Sequence, residues 1–257
     1  MARVIAIANQ KGGVGKTTTT VNLSACLAVK GKRVLTIDID PQGNTTSGLG
    51  IDKTEVKESI YDVIINDLSL HETVMPTKIE TLGLSPSNIH LAGAEVELVS
   101  VISREMRLKS AIAEVKDQYD FILIDCPPSL GLLTVNALTA ADTILVPIQC
   151  EYYALEGLSQ LMNTVRIVQK HLNPALKVEG VVLTMFDART NLSIQVVEEV
   201  KKYFGNKVYR TIIPRNVRLS EAPSFGLPII LYDERSKGAE SYMELAEEVI
   251  MTAEGRQ

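Results

Sequence analysis

Short apolar runs alternate with longer amphipathic stretches along this chain. Runs at residues 4–8, 34–39, 121–124, 143–148, 181–185 and 208–213 are rich in Val, Ile and Leu and are bounded by turn-forming residues. Continuous apolar runs of this length suit strands buried on both faces. Helical spacing of apolar positions covers residues 18–30, 95–115, 155–171 and 193–204. The alternation predicts an α/β fold: a doubly wound, mostly parallel sheet with right-handed crossovers and helices on both faces. Ligands in that architecture sit at the carboxyl ends of the strands. Residues 61–81 are less regular and read as an insertion beside the sheet, with no chemistry of its own. No linker, repeat or low-complexity tract divides the 257 residues, so residues 1–257 are expected to form one domain.

The first strand runs into Lys11-Gly12-Gly13-Val14-Gly15-Lys16-Thr17, and Thr18 continues into the first helix. Strand, glycine-rich turn and helix form the setting that holds a nucleotide's phosphates, which makes this a P-loop NTPase type of fold. The glycines let backbone N–H groups turn inward, and the helix N-terminus adds partial positive charge. Lys16 suits the β- and γ-phosphates, and the Thr17 hydroxyl suits Mg²⁺. The loop departs from the usual pattern twice. Gln10 stands where a glycine is expected, and Lys11 adds a second cation at the front. A solvated lysine near an anion is the plain reading of Lys11. A role in neutralising phosphate charge is the stronger one, because a second cation there is otherwise costly.

Two further strands end in carboxylates. Asp38-Ile39-Asp40-Pro41-Gln42-Gly43 closes the second, with Asp38 and Asp40 two residues apart and expected on one side. Near a phosphate loop such carboxylates suit a metal-bound or attacking water. An Asx turn cap is the competing reading. Phe121-Ile122-Leu123-Ile124-Asp125 has the Walker B form, in which a buried strand delivers one Asp toward Mg²⁺, although an Asp capping a strand end is common. After the last two long strands, Met185 and Pro214 offer apolar contact to a base, and Asn216 offers a donor and an acceptor.

Composition narrows the field. A net charge of −5 excludes a globally basic nucleic-acid binder but leaves room for a local patch. Cys26, Cys126 and Cys150 are widely spaced in apolar surroundings and read as reduced thiols of a cytoplasmic protein. The N-terminus reads as strand rather than signal peptide, and no stretch is apolar for long enough to span a bilayer. His71, His90 and His171 lack metal-ligand spacing, and Tyr152 and Tyr153 read as packing groups.

Residues 11–18, 38–43, 125–129, 149–157, 187–190 and 213–223 together resemble the ParA/MinD group of deviant Walker ATPases, and in particular its chromosomal ParA branch. The last three strings carry the branch-specific part. The resemblance implies an ATP- and Mg²⁺-dependent sandwich homodimer in which each Lys11 reaches the partner's phosphates. Gly12 would face its counterpart, with Gly13, Val14, Gly15, Lys16, Thr17 and Thr18 around the nucleotide. Thr17 and Asp125 would position the metal, Asp38 would support its shell, and Asp40 would orient the attacking water. Met185, Pro214 and Asn216 would hold the adenosine. Turnover should be slow and stimulated by a ParB-type centromere-binding protein.

The family also implies non-specific binding to double-stranded DNA and association with the nucleoid. Residues 201–218 contain six Lys or Arg and no Asp or Glu. A solvated charged face is the ordinary meaning of such a stretch. With the resemblance, Arg189 and Arg218 are the leading DNA contacts, followed by Lys201, Lys202 and Lys237. A MinD-like membrane ATPase is the main alternative, but residues 243–254 are acidic up to Arg256, where that branch carries a basic amphipathic helix. An amide-forming ligase on the same fold lacks a need for Lys11. An iron–sulfur ATPase needs cysteines placed differently.

Overall fold

The computed structural model of the chain describes residues 1–151 and 156–255, the side chains of residues 156 and 157 excepted. The packing role read for Tyr152 and Tyr153, the helix start expected at residue 155 and the charge of Arg256 lie outside the described residues. Eight strands form one sheet: β1 (Arg3–Ile7), β2 (Val34–Asp38), β3 (Met75–Pro76), β4 (Leu82–Ser85), β5 (Phe121–Asp125), β6 (Thr143–Gln149), β7 (Lys177–Phe186) and β8 (Val208–Pro214). Their order is β3-β4-β2-β5-β1-β6-β7-β8, and every pairing is parallel except β3 with β4. The helices are α1 (Lys16–Val29), α2 (Asn44–Gly48), α3 (Ile60–Ile65), α4 (Leu70–Thr73), α5 (Leu91–Glu97), α6 (Arg107–Val115), α7 (Leu132–Ala140), α8 (Glu156–His171), α9 (Asn191–Phe204), α10 (Val217–Glu221), α11 (Ile229–Tyr232) and α12 (Lys237–Ala253).

The central strands are mostly apolar because helices cover both faces of the sheet. In β1, Val4 and Ala6 point into one core and Ile5 and Ile7 into the other; in β5, Ile122 and Ile124 oppose Phe121 and Leu123. The first core is closed by side chains such as Ile64, Leu91, Ile112, Leu133, Val165 and Val200. The second is closed by α1 and α12, through Leu23, Leu27, Tyr242, Leu245 and Val249. The apolar side of α12 is therefore committed to the sheet, and Glu248 joins that contact by accepting from Arg210 N and Thr211 N of β8 at 2.9 and 2.7 Å.

Two sequence expectations change. The helix expected over 95–115 is broken: α5 ends at Glu97, Ser103 adopts φ 56°, and α6 begins only at Arg107. Val99 and Ile102, which continued the apolar spacing, are exposed, so no buried stripe sustains one helix. The segment expected to be irregular holds α3, α4 and β3, and it leads into β4, which extends the parallel sheet beside β2. The Leu82-Gly83-Leu84-Ser85 run is short and interrupted by glycine, which hid it. A Cβ on Gly83 would stand 2.9 Å from Val74 Cγ1, so the glycine lets the neighbouring segment approach.

Candidate nucleotide-binding site

β1 lies between β5 and β6, where the strand order reverses, and its carboxyl end opens into the glycine-rich loop. Gly13 and Gly15 adopt φ 74° and 88°, a region that side chains disfavour. Gly15 is the N-cap of α1 and no side chain caps it, which leaves the first-turn N–H groups to an anion. Asn9 staples the loop to β6: its amide donates to Pro147 O at 2.7 Å and its carbonyl accepts from Lys11 N at 3.0 Å. Thr184 Oγ1 donates to Val14 O at 2.8 Å, tying the loop to β7.

The two loop lysines face different surroundings. Lys16 is 7 % exposed and curls back over the loop to donate to Lys11 O at 3.1 Å. Burial pulls its ammonium below the usual lysine range, while Asp125 and Asp40 oppose the shift. Lys11 keeps a third of its side chain exposed, with Nζ 3.9 Å from Glu151 Oε2. The same Glu151 carboxylate pairs with Arg215 at 3.6 Å and accepts from Gln149.

Sheet register sets Asp38 opposite Asp125 on adjacent strand ends. Asp125 is fully buried and accepts from Thr17 Oγ1 at 2.8 Å, Thr20 Oγ1 at 3.1 Å and Thr45 Oγ1 at 2.8 Å. Asp38 is also fully buried. Its Oδ2 accepts from the N–H and the hydroxyl of Thr46, each at 2.8 Å, and its Oδ1 from Asp40 N at 3.2 Å. Asp40 Oδ1 accepts from Gln42 N at 2.9 Å. Burial, and the charge of Asp125, raise the Asp38 carboxyl above the usual carboxylate range; burial raises Asp125 as well, its hydroxyl donors opposing.

Two buried carboxylates beside one lysine carry more negative charge than the pocket favours, which suits a divalent cation. Among the described residues no cluster of three or more His, Cys, Asp or Glu could cage a metal. A hydroxyl and a carboxylate fit Mg²⁺, which completes its shell with water and phosphate oxygens. Both oxygens of Asp38 hold protein donors, as do both of Asp125, so each carboxylate is cradled by protein hydroxyl or amide groups at its strand end. The bond from Asp40 N makes Asp38 a turn cap, and its position beside Asp125 is the one expected of a residue that supports the metal's shell.

Gly15, Met185, Pro214, Asn216 and Tyr242 line a cavity of about 200 Å³ beyond the loop. Met185 takes φ 51°, an uncommon strain for a side-chain-bearing residue and one that gathers at binding sites. Asn216 Oδ1 is spent on capping α10 through Leu219 N at 3.3 Å, which narrows its expected double role toward its amide donor.

The basic residues are less free than the linear charge pattern implied. Arg189 is 87 % exposed and bonds both oxygens of Asp187, at 2.9 and 2.7 Å. Arg218 meets Glu221 at 2.9 Å and Asp233 at 3.4 Å, and Lys237 meets Glu240 at 2.6 Å. Lys201 and Lys202 are exposed in the last turn of α9. A stretch without acids in sequence thus receives them from elsewhere in the fold. Sequence reading missed Asn9, Thr20, Thr45, Thr46 and Glu151. The one available signal was that all stand within or beside the motifs already singled out.

A family model described as AAA domain matches residues 2–178. The sporulation initiation inhibitor protein Soj of Bacillus subtilis is 68 % identical over 249 residues, covering 97 % of this chain and 98 % of the relative. Cobyrinic acid a,c-diamide synthase from Mycobacterium smegmatis, solved with bound ADP and magnesium, aligns with TM-score 0.88 and 39 % identity over 100 % of this chain and 97 % of that one. The septum site-determining protein MinD from Pyrococcus horikoshii, complexed with Mg-ADP, aligns with TM-score 0.82 and 29 % identity over 100 % and 99 %. With the two-lysine loop and its flanking carboxylates, these matches make the chain a member of the ParA/MinD family of deviant Walker ATPases, on the side of the chromosomal Soj and ParA proteins.

Proposed function

We propose that this chain is one ATPase domain that binds ATP with Mg²⁺, pairs with a second copy when ATP is bound, and partitions chromosomes or plasmids with DNA and a ParB-type protein. One observation carries the pairing: Lys16 is folded onto its own loop, whereas the Lys11 ammonium stands at the outer edge, where among the described residues it is paired with the partly exposed Glu151. Lys16 and the open N-terminus of α1 hold the phosphates, and the cavity at Met185, Pro214 and Asn216 takes the adenosine. Thr17 and Asp125 would hold Mg²⁺, which would neutralise phosphate charge. Asp40 orients the attacking water. None of these groups is placed as a strong general base, which supports slow turnover awaiting stimulation by the partner. Sizing the protein with ADP and with ATP tests the reading: monomer with ADP and dimer with ATP is expected, and one size in both states would overturn it.

Gly12 supplies a sharper version. A Cβ built there meets no atom within 4 Å, and its φ lies outside the left-handed region, so the monomer tolerates a side chain. Gly12→Val should leave the melting temperature within about 2 °C, since open surface substitutions cost little. It should abolish the ATP-dependent dimer in the same sizing experiment.

DNA binding is expected only in the paired state. Arg189 and Arg218 must exchange Asp187, Glu221 and Asp233 for phosphates, so their contribution is a swap of partners in water. Retention on arbitrary duplex should fall steeply with salt, and Arg189→Ala with Arg218→Ala should lower the log–log slope by about 0.9 for each phosphate no longer neutralised. An unchanged slope would remove both residues from the interface.

Two other readings meet specific obstacles. No helix among the described residues is long and apolar enough to cross a membrane, and α12 buries its apolar side against α1 rather than offering it to lipid. The amide-forming activity in the name of one solved neighbour belongs to that protein; assaying ATP-dependent amide formation beside phosphate release separates the two for this chain.

A further inference from the structure

Two adjacent threonines at the start of α2 reach two different buried carboxylates. Thr45 donates to Asp125 and Thr46 to Asp38, each at 2.8 Å, and all four residues are fully buried. Asp38 closes the intervening segment at both ends, because it also accepts from Asp40 N at 3.2 Å. Thr46 Oγ1 in turn accepts from Ser87 N at 2.9 Å, anchoring the junction to the segment after β4. Asp40 therefore rides on a short loop whose far end is pinned to the strand-end carboxylates through hydroxyl groups.

A hydroxyl buried in a helix's first turn costs free energy unless it is bonded, and valine would fill the same space. The bond from Thr45 lands on Asp125 Oδ2, the atom that also accepts from Thr17. A carboxylate oxygen has two lone-pair directions, so these two donors fill it. Thr17 belongs to the first turn of the phosphate-side helix. A ligand that drew the Thr17 hydroxyl away would leave Thr45 as the remaining protein donor to that oxygen, with α2 attached to it.

We propose that Thr45 is a positioning residue that couples occupancy of the phosphate site, through Thr17 and Asp125, to the placement of Asp40. The proposal rests on the ATP reading above. Thr46 and Asp38 are the passive half of the device, holding the loop's shape while Thr45 reports the state of Asp125.

The test compares Thr45→Val, which keeps the branched shape without the hydroxyl, with Thr45→Ser, which keeps the hydroxyl. Hydrogen exchange at the amides of Gln42, Gly43 and Thr46 is followed with and without ADP and Mg²⁺, a state expected to be monomeric, so a partner cannot supply the protection. In the unsubstituted protein the ligand should slow these amides by about tenfold, on the scale of one hydrogen bond to a charged group. In Thr45→Val the response should shrink to within about twofold, while kcat for ATP falls about tenfold or more and KM moves less than about threefold. Thr45→Ser should restore both. If Thr45→Val does not fold, Thr45→Ala replaces it in the same comparison. A full ligand response in the hydroxyl-free variant, or a serine variant as impaired as valine, overturns the proposal. Failure of the unsubstituted protein to bind the nucleotide would instead sink the ATP reading; binding without any change at these amides sinks the coupling alone.

Discussion

Lys11→Ala is expected to lower ATP turnover by about 10³-fold or more and to abolish the ATP-dependent dimer, while nucleotide affinity of the single chain changes little. A cation delivered across an interface to a transferring phosphoryl group is worth about 10³–10⁵ in rate. The affinity survives because the binding cation is a different residue: Lys16 is buried on the loop, and the uncapped first turn of α1 is untouched. The fold survives because, among the described residues, the Lys11 ammonium makes one long ion pair, with Glu151 at 3.9 Å and partly in solvent, where such pairs are worth little. Phosphate release, sizing with ATP and nucleotide titration on one sample decide the matter. If pairing and turnover both persist, the second lysine is a solvated bystander and the proposed dimer mechanism fails. If affinity collapses as well, Lys11 acts in its own subunit.

Asp40→Ala is expected to trap the ATP-bound dimer, with turnover reduced by about 10²–10⁴, the range of a positioned proton acceptor or water-orienting group. Asp40 is nearly buried and one of its oxygens holds Gln42 N, so removing the side chain also loosens the loop. Asp40→Asn separates the effects, since an amide oxygen still accepts from Gln42 N but carries no charge. Both variants should pair persistently with ATP. A loss in alanine alone would make Asp40 a loop brace, and a loss in both assigns the effect to its charge. Normal turnover in both would remove Asp40 from the chemistry.

The readable parts of this protein share one property: their meaning is carried by neighbours in sequence. The Phe121–Asp125 run announced a buried strand because burial on both faces leaves no polar position until the strand ends, and Val34–Asp38 departs from that pattern only at Thr36. Lys11 through Thr17 announced a phosphate loop because glycine, lysine and threonine must be consecutive there. The misread parts depend on contacts between distant residues. Val99 and Ile102 fit a helical stripe, but nothing in the fold comes to cover them. Leu82–Ser85 went unread as a strand because it is short and interrupted by Gly83, and its pairing with β2 comes from far along the chain. The contact of Asp38 Oδ2 with Thr46, eight residues away, was not legible from the strand-end motif.

By itself, then, the amino-acid order determined the layered α/β class, the phosphate loop with its two lysines and the carboxylates at two strand ends, since local periodicity and turn chemistry encode these directly. Tertiary structure alone decided that Lys16 lies inward and Lys11 outward, that three threonines from two helices share Asp125, and that Glu151, Glu221 and Asp233 meet the arginines of a stretch without acids. Hydrogen bonds and ion pairs act over a few ångströms in space, and separation along the chain does not reveal which groups will come that close.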